Sequence, residues 1–287
     1  MPRLVAVISL VALSLLSGCA SLRGAAGDVL SGKAACARPA AFTPAAMANT
    51  DSLGQLAWSP FGRPEQGWAI YSLRIQREIK SRCAPQTAGF AQRLATWQFG
   101  HGLEPTGVFD AVSFQTMKTG WQNARPYIVL RAAGICPDPP PDEALGPIRA
   151  SDVFPGKTIL LRKAAMPSLH RMLKAAWTHA AGAGSGPNKL VVFSGFRSPT
   201  YDADRCLKEG NCDGVGRAAC SVHRTGLAVD LVLGFAPGYA VDSSADANRL
   251  YQTRTPAYRW LVDNAGRFGF VNYPFEPWHW EWTGQAP

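Results

Sequence analysis

The chain has 287 residues, of which 47% are hydrophobic and 17% charged, with 29 Lys and Arg against 20 Asp and Glu for a formal net charge of +9. This length and apolar content exclude a disordered polymer and allow two modest domains with cores of their own. The positive balance is diffuse, with no block of five or six basic residues, so it specifies no acidic partner by itself.

The chain opens MPRLVAVISLVALSLLSGCA, with Arg3 before an apolar run from Leu4 to Leu16 that is too short for a stable transmembrane helix and has the form of a secretory signal. Leu16-Ser17-Gly18-Cys19 resembles the lipobox of bacterial lipoproteins. That resemblance implies cleavage of residues 1–18, lipidation of Cys19 and attachment to a membrane through the lipid; the alternative is an ordinary signal peptide with an incidental cysteine. Ala20 and Ser21, rather than an aspartate, follow Cys19, which by the same resemblance points to the periplasmic face of an outer membrane. Export argues against nucleic acid as a partner.

Apart from Cys19 there are six cysteines, at 36, 83, 136, 206, 212 and 220, an even number suited to disulfides in an oxidising compartment. Three lie before residue 140 and three after 205, so full pairing requires at least one link between the halves. The spacing of Cys206, Cys212 and Cys220 lacks a C-x-x-C knuckle, which argues against a cysteine metal site there.

Residues 19–60 are rich in Ala, Gly, Ser and Pro without a sustained apolar period, and read as a tether. A helical unit is expected over 61–125. Trp68, Tyr71, Ile75 and Ile79 recur at helical spacing, and two further helices are expected at about Thr87–Phe99 and Ala111–Gln122, with Asp110 capping the last. Trp97-Gln98, Gly102-Leu103 and Thr106-Gly107-Val108-Phe109-Asp110 resemble the small three-helix peptidoglycan-binding domain, with Trp97 departing from its usual phenylalanine. A plain helical unit without a ligand is the alternative, since Gly, Thr and Asp are common at turns for structural reasons. Over 126–150, Pro137, Pro139, Pro140 and Pro141 favour an extended spacer.

The remaining residues, 151–287, are read as the chemical domain. A core helix is expected at Pro167–Ala181, a buried strand at Leu190–Phe193, a strand carrying Asp230 at Leu227–Gly234, and a helix starting at Thr255-Pro256. His170 and His179 lie on the first of these helices and are given no metal role. In Trp278-His279-Trp280-Glu281-Trp282, strand alternation puts the tryptophans on one face and His279 with Glu281 on the other.

Ser221 to Leu231 (SVHRTGLAVDL) and Glu276 to Trp282 (EPWHWEW) together hold His223, Asp230, Glu276 and His279. Two imidazoles and a carboxylate are the donor set of a catalytic zinc site with one open position, and Glu276 is placed to take a proton from water. His223 and Asp230, seven apart, would face opposite sides of a straight strand, so both reach one metal only if the chain turns near Gly226. The frame Ser221, His223, Gly226, Ala228, Asp230, followed by Glu276, Trp278 and His279, resembles the zinc-dependent D-alanyl-D-alanine carboxypeptidase and dipeptidase family, over about Ile159 to Gly284.

The resemblance implies an α+β zinc peptidase domain, a small antiparallel sheet with flanking helices, preceded by the small three-helix domain. It implies Zn2+ on His223, Asp230 and His279, with Glu276 as general base and peptidoglycan stem peptides as substrate. It also places Arg197, in Ser194-Gly195-Phe196-Arg197-Ser198, and Ser221 as substrate-binding residues, although Arg197 is also spaced to pair with Asp202 or Asp204. Glu281 competes with Glu276 for the role of base or orients a ligand from behind. The other reading is a non-catalytic, metal-binding lipoprotein that anchors to the cell wall.

Overall fold

A computed structural model describes residues 35–186, 189–210, 212 and 220–284. Cys19 and the signal segment lie outside the described residues, as does most of the stretch between Cys212 and Cys220. Among the described residues no helix is long and apolar enough to cross a membrane.

The first half is helical. It runs α1 (Thr43–Gln55), a short hairpin of β1 (Ala57–Trp58) and β2 (Glu65–Gln66), α2 (Ser72–Glu78), α3 (Ala88–Gly100), α4 (Ala111–Asn123) and α5 (Pro126–Ala132). The capping expectation for Asp110 holds at atomic detail, its carboxylate accepting from the Ser113 amide at 2.7 Å; Thr87, expected as the first helical residue, is itself a cap, its hydroxyl accepting from the Phe90 amide at 3.3 Å. Trp68, Tyr71, Ile75 and Ile79 are all buried, with Phe90, Leu94, Phe109 and Phe114 around them.

Helix α1 corrects the expectation of irregular chain through residue 60. Its buried face consists of Ala45, Ala46 and Asn49, so it shows no large-apolar period. Small residues allow close approach, and buried Asn49 replaces apolar contact by donating to the Gly107 carbonyl at 2.9 Å and accepting from the Phe109 amide at 2.7 Å.

The expected spacer is also corrected in part. The prolines from 137 to 141 carry no regular structure, but Leu145–Pro147 forms β3 and pairs antiparallel with β4 (Leu160–Arg162). The helical half is not held at a distance: its core includes Tyr273 and Phe275 of the second half. Buried Arg249 adds polar ties across the same contact, to Glu65 at 3.2 Å and to the Tyr71 hydroxyl at 2.5 Å. Disulfides join Cys36 to Cys83, Cys136 to Cys220 and Cys206 to Cys212; the second is the link between halves that the cysteine count required.

The second half continues with α6 (Met166–His179), β5 (Val192–Ser194), α7 (Pro199–Glu209), β6 (Ala228–Leu231), α8 (Asp246–Thr253), α9 (Pro256–Asn264), β7 (Phe270–Asn272) and β8 (His279–Trp282). Four of these strands form one antiparallel sheet in the order β5-β6-β8-β7. One face, with Val229, Leu231 and Trp280, packs on Leu169, Met172, Leu173 and Ala176 of α6 and on Tyr258 and Leu261 of α9. That leaves Ala228, Asp230, His279 and Glu281 on the opposite face.

Candidate metal centre

Cross-strand register aligns the site. Ser194 pairs with Asp230 and Asp230 with His279, so three polar side chains stand in a row on one face across β5, β6 and β8. His223 arrives from outside the sheet, on a 3-10 turn over Val222–Thr225 that ends at Gly226 with φ +66°. This is the required change of direction between His223 and Asp230. A left-handed residue here is favoured as glycine, and the space is closed as well, because a Cβ would stand 3.0 Å from Leu145 Cδ2 and 3.1 Å from Arg162 Cγ.

His223 Nε2, Asp230 Oδ1 and His279 Nδ1 form a triangle with edges of 3.3, 2.9 and 3.2 Å. Ligand atoms about 2.0–2.1 Å from a tetrahedral ion stand about 3.3 Å apart, so the donor set and its spacing fit zinc. Among the described residues this is the one group of three such side chains able to share an ion.

Each imidazole is fixed from behind. His223 Nδ1 donates to the Gly195 carbonyl at 2.7 Å, leaving the Nε2 lone pair toward the triangle. His279 is turned the other way, its Nε2 facing Glu281 Oε1 at 3.3 Å and its Nδ1 facing Asp230. Burial and the nearby Arg197 cation hold the His223 pKa down. Burial also opposes charge on His279, but hydrogen bonds to Asp230 and Glu281 outweigh it and push the metal-free ring up to about 9. Burial would raise Asp230 likewise, yet the two imidazoles hold it well below the usual carboxylate range.

Glu276 lies beside the triangle, one carboxylate oxygen 3.9 Å from His279 Nδ1. Glu281 does not share that position, since it stands behind His279 and is paired with Arg125, whose Nε donates to Oε1 at 2.7 Å. Arg197 is held by Asp202 at 2.7 Å, Ser194 at 3.0 Å and Ser221 at 3.1 Å, with Asp230 Oδ2 at 3.6 Å. The pairing with Asp202 thus coexists with a place at the edge of the site. The Ser221 hydroxyl also accepts from the His223 amide at 3.2 Å and so caps the turn that carries the histidine. His170 pairs with Asp152 at 2.8 Å, apart from the cluster.

The triangle, Glu276, Arg197 and Ser221 border a cleft of about 360 Å³. One wall comes from the sheet domain, including Arg197, Glu276 and Trp278; the other comes from the preceding residues, including Phe61, Lys118, Arg125 and Ile128. The two-sided construction, with Arg125 and the Gly195 carbonyl as supporting groups, has no signature in the local sequence. The spacing of Asp202 from Arg197 and the position of Glu281 on the His279 face of its strand were the signals of support from behind.

Fold and site together define a class, a metallopeptidase-type domain in which two histidines and an aspartate converge with a glutamate alongside. Residues 158–285, a little under half of the chain, match the family described as VanY: D-alanyl-D-alanine carboxypeptidase. No curated protein matches the chain. Among solved structures, it is similar to the LD-carboxypeptidase LdcB, at 23% identity over 49% of this chain and 68% of that one, with a TM-score of 0.36. A vancomycin-resistance D,D-pentapeptidase VanY mutant in complex with Zn(II) is similar at 24% identity, over 52% of this chain and 88% of that one, TM-score 0.31. The D,D-dipeptidase VanXYg in complex with a D-Ala-D-Ala phosphinate analogue follows at 23% identity, over 50% and 59%, TM-score 0.33.

Proposed function

We propose that this protein is an exported, zinc-dependent peptidoglycan peptidase that hydrolyses D-Ala-D-Ala or a related stem or cross-link amide. The observation that carries the proposal is the triangle of His223, Asp230 and His279 donor atoms, at zinc spacing, with the Glu276 carboxylate alongside. The match of residues 158–285 to a D-alanyl-D-alanine carboxypeptidase family supports the substrate class.

His223 Nε2, an Asp230 oxygen and His279 Nδ1 would hold the ion. Bound zinc supplies a Lewis acid that lowers the pKa of water toward neutrality and polarises a carbonyl. Glu276 takes the proton of the attacking water and passes it to the departing amine. Arg197 presents a guanidinium at the cleft edge, a planar fork suited to a substrate carboxylate or carbonyl, while Asp202 and Ser194 keep it from swinging. Ser221 positions both Arg197 and the His223 turn, and its hydroxyl proton remains available for a substrate oxygen. Cys19 is the proposed lipid attachment point, the protein facing the periplasm from the outer membrane, and the helical unit over residues 61–125 the proposed contact with the wall.

The test is digestion of intact sacculi and of a peptide ending in D-Ala-D-Ala, with products identified by mass, alongside chelated protein and a Glu276→Ala variant. Release of D-alanine or cut stem peptides that is lost in both controls supports the proposal. Zinc-loaded protein that cleaves neither substrate returns the reading to a wall-anchoring, non-catalytic lipoprotein.

A further inference from the structure

The sheet face that carries the metal triangle also carries Glu281, one strand pair further along and 2% exposed. A buried carboxylate needs compensation, and here it is uneven. Oε1 receives Arg125 Nε at 2.7 Å, a short contact from Arg125 Nη2 and the His279 Nε2 contact at 3.3 Å. Oε2 is buried with no hydrogen-bond partner among the described residues. All of the hydrogen bonding to this anion therefore passes through the oxygen that holds His279.

Arg125 is itself 4% exposed and fixed from three sides. Gln122 Oε1 accepts from its Nη1 at 2.6 Å, the Tyr273 ring lies 4.2 Å from the guanidinium carbon, and Glu281 takes the remaining edge. It sits between α4 and α5, before the residues that the peptidase family covers. A group from outside the chemical domain thus reaches its metal centre by a continuous line, Gln122 to Arg125 to Glu281 to His279.

We propose that Arg125 is a positioning residue for the metal centre, contributed by the helical half and acting on the His279 ligand through Glu281. Carboxylate-backed histidines owe their tautomer and ring orientation to the group behind them, and loss of such a group weakens metal binding about 10–100-fold. Arg125 sets where that carboxylate stands. The helical half is accordingly part of the metal site's architecture, beyond any hold it has on the wall. This inference rests on the zinc reading above.

The test is the zinc dissociation constant of the full-length protein, measured by competition with a chromophoric chelator, for the parent, Arg125→Gln, Glu281→Gln and the double variant. A parent that takes up no zinc overturns the zinc reading itself, which separates that failure from failure of this inference. With zinc bound by the parent, Arg125→Gln and Glu281→Gln are each expected to weaken binding about 10–100-fold. The double variant should bind as Glu281→Gln alone does, because Arg125 has nothing to act through once the carboxylate is an amide. A general loosening of the fold would instead persist in the Glu281→Gln background. Arg125→Gln binding zinc within twofold of the parent overturns the proposal. Should Arg125→Gln not fold, Arg125→Lys takes its place, keeping the charge while losing the planar fork on Glu281 Oε1, and zinc binding within twofold of the parent then overturns the proposal. A double variant binding tenfold weaker than Glu281→Gln, or a Glu281→Gln affinity equal to the parent's, overturns it equally.

Discussion

Gly226→Ala tests whether the turn between His223 and Asp230 is what builds the site. Two costs add at this position. Alanine at φ +66° sits in the left-handed region, worth about 1–2 kcal/mol for a residue with a Cβ. The new methyl meets Leu145 Cδ2 at 3.0 Å, Arg162 Cγ at 3.1 Å and the Arg162 amide nitrogen at 3.3 Å, and crowding of this kind costs roughly a further 1–2 kcal/mol, since only the side chains can yield. The total, about 2–4 kcal/mol, corresponds to a fall in Tm of roughly 3–7 °C for a chain of this size. Gly238→Ala supplies the control, because its φ is +84° but nothing lies within 4 Å of the added Cβ, leaving only the backbone cost. Thermal unfolding of zinc-free protein should rank parent, Gly238→Ala, Gly226→Ala in falling Tm. Chelator competition should show weakened zinc binding for Gly226→Ala alone. Equal Tm for the two variants, or a parental zinc affinity in Gly226→Ala, would refute the reasoning.

Zinc binding should release about one proton near pH 7, because the metal needs the His279 Nδ1 lone pair and that ring, at about 9, is protonated in the zinc-free site while His223 is not; calorimetry in buffers of different ionisation enthalpy counts the proton, and a count of zero at pH 7 contradicts the assignment. The same raised pKa stabilises the zinc-free protein most below pH 6.5 and less as pH rises through about 9, so chelated protein should lose Tm over that interval while zinc-loaded protein does not. Glu276→Gln, close to isosteric, should keep its zinc and lose about 10²–10⁴-fold in turnover, read by metal analysis and by D-alanine release on the same sample. Residues 151–287 expressed alone should be poorly soluble and bind zinc weakly, since the cut exposes Phe275 and strips Arg249 of Glu65 and Tyr71 and Glu281 of Arg125; a soluble fragment with parental zinc affinity would contradict the joint construction of the site.

The ligand set was legible because its chemistry is written in short spacings. His223, Gly226 and Asp230 fall within eight consecutive positions, and alternation along β8 turns His279 away from Trp280. Caps at Asp110 and Thr255 were legible for the same local reason. What lay hidden depends on partners far apart in the chain. Helix α1 buries alanines and an asparagine whose bonding partners are at 107 and 109, and Arg125 meets a carboxylate at 281. Arg249, fully buried, would read from sequence as a surface cation, and only the packing of Tyr71, Glu65 and Phe275 around it explains its place. The peptide-bond chemistry therefore reads from two segments, whereas the cleft that confines it is a property of both halves together.

The most direct measurement is a zinc titration of chelated, full-length protein, followed by D-alanine release from a peptide ending in D-Ala-D-Ala. The account expects no hydrolysis without metal and activity that rises to a plateau at one zinc per chain, with His223→Ala, Asp230→Ala and His279→Ala all failing to reach it. Undiminished hydrolysis by the zinc-free protein, or a plateau reached equally by those three variants, would contradict it.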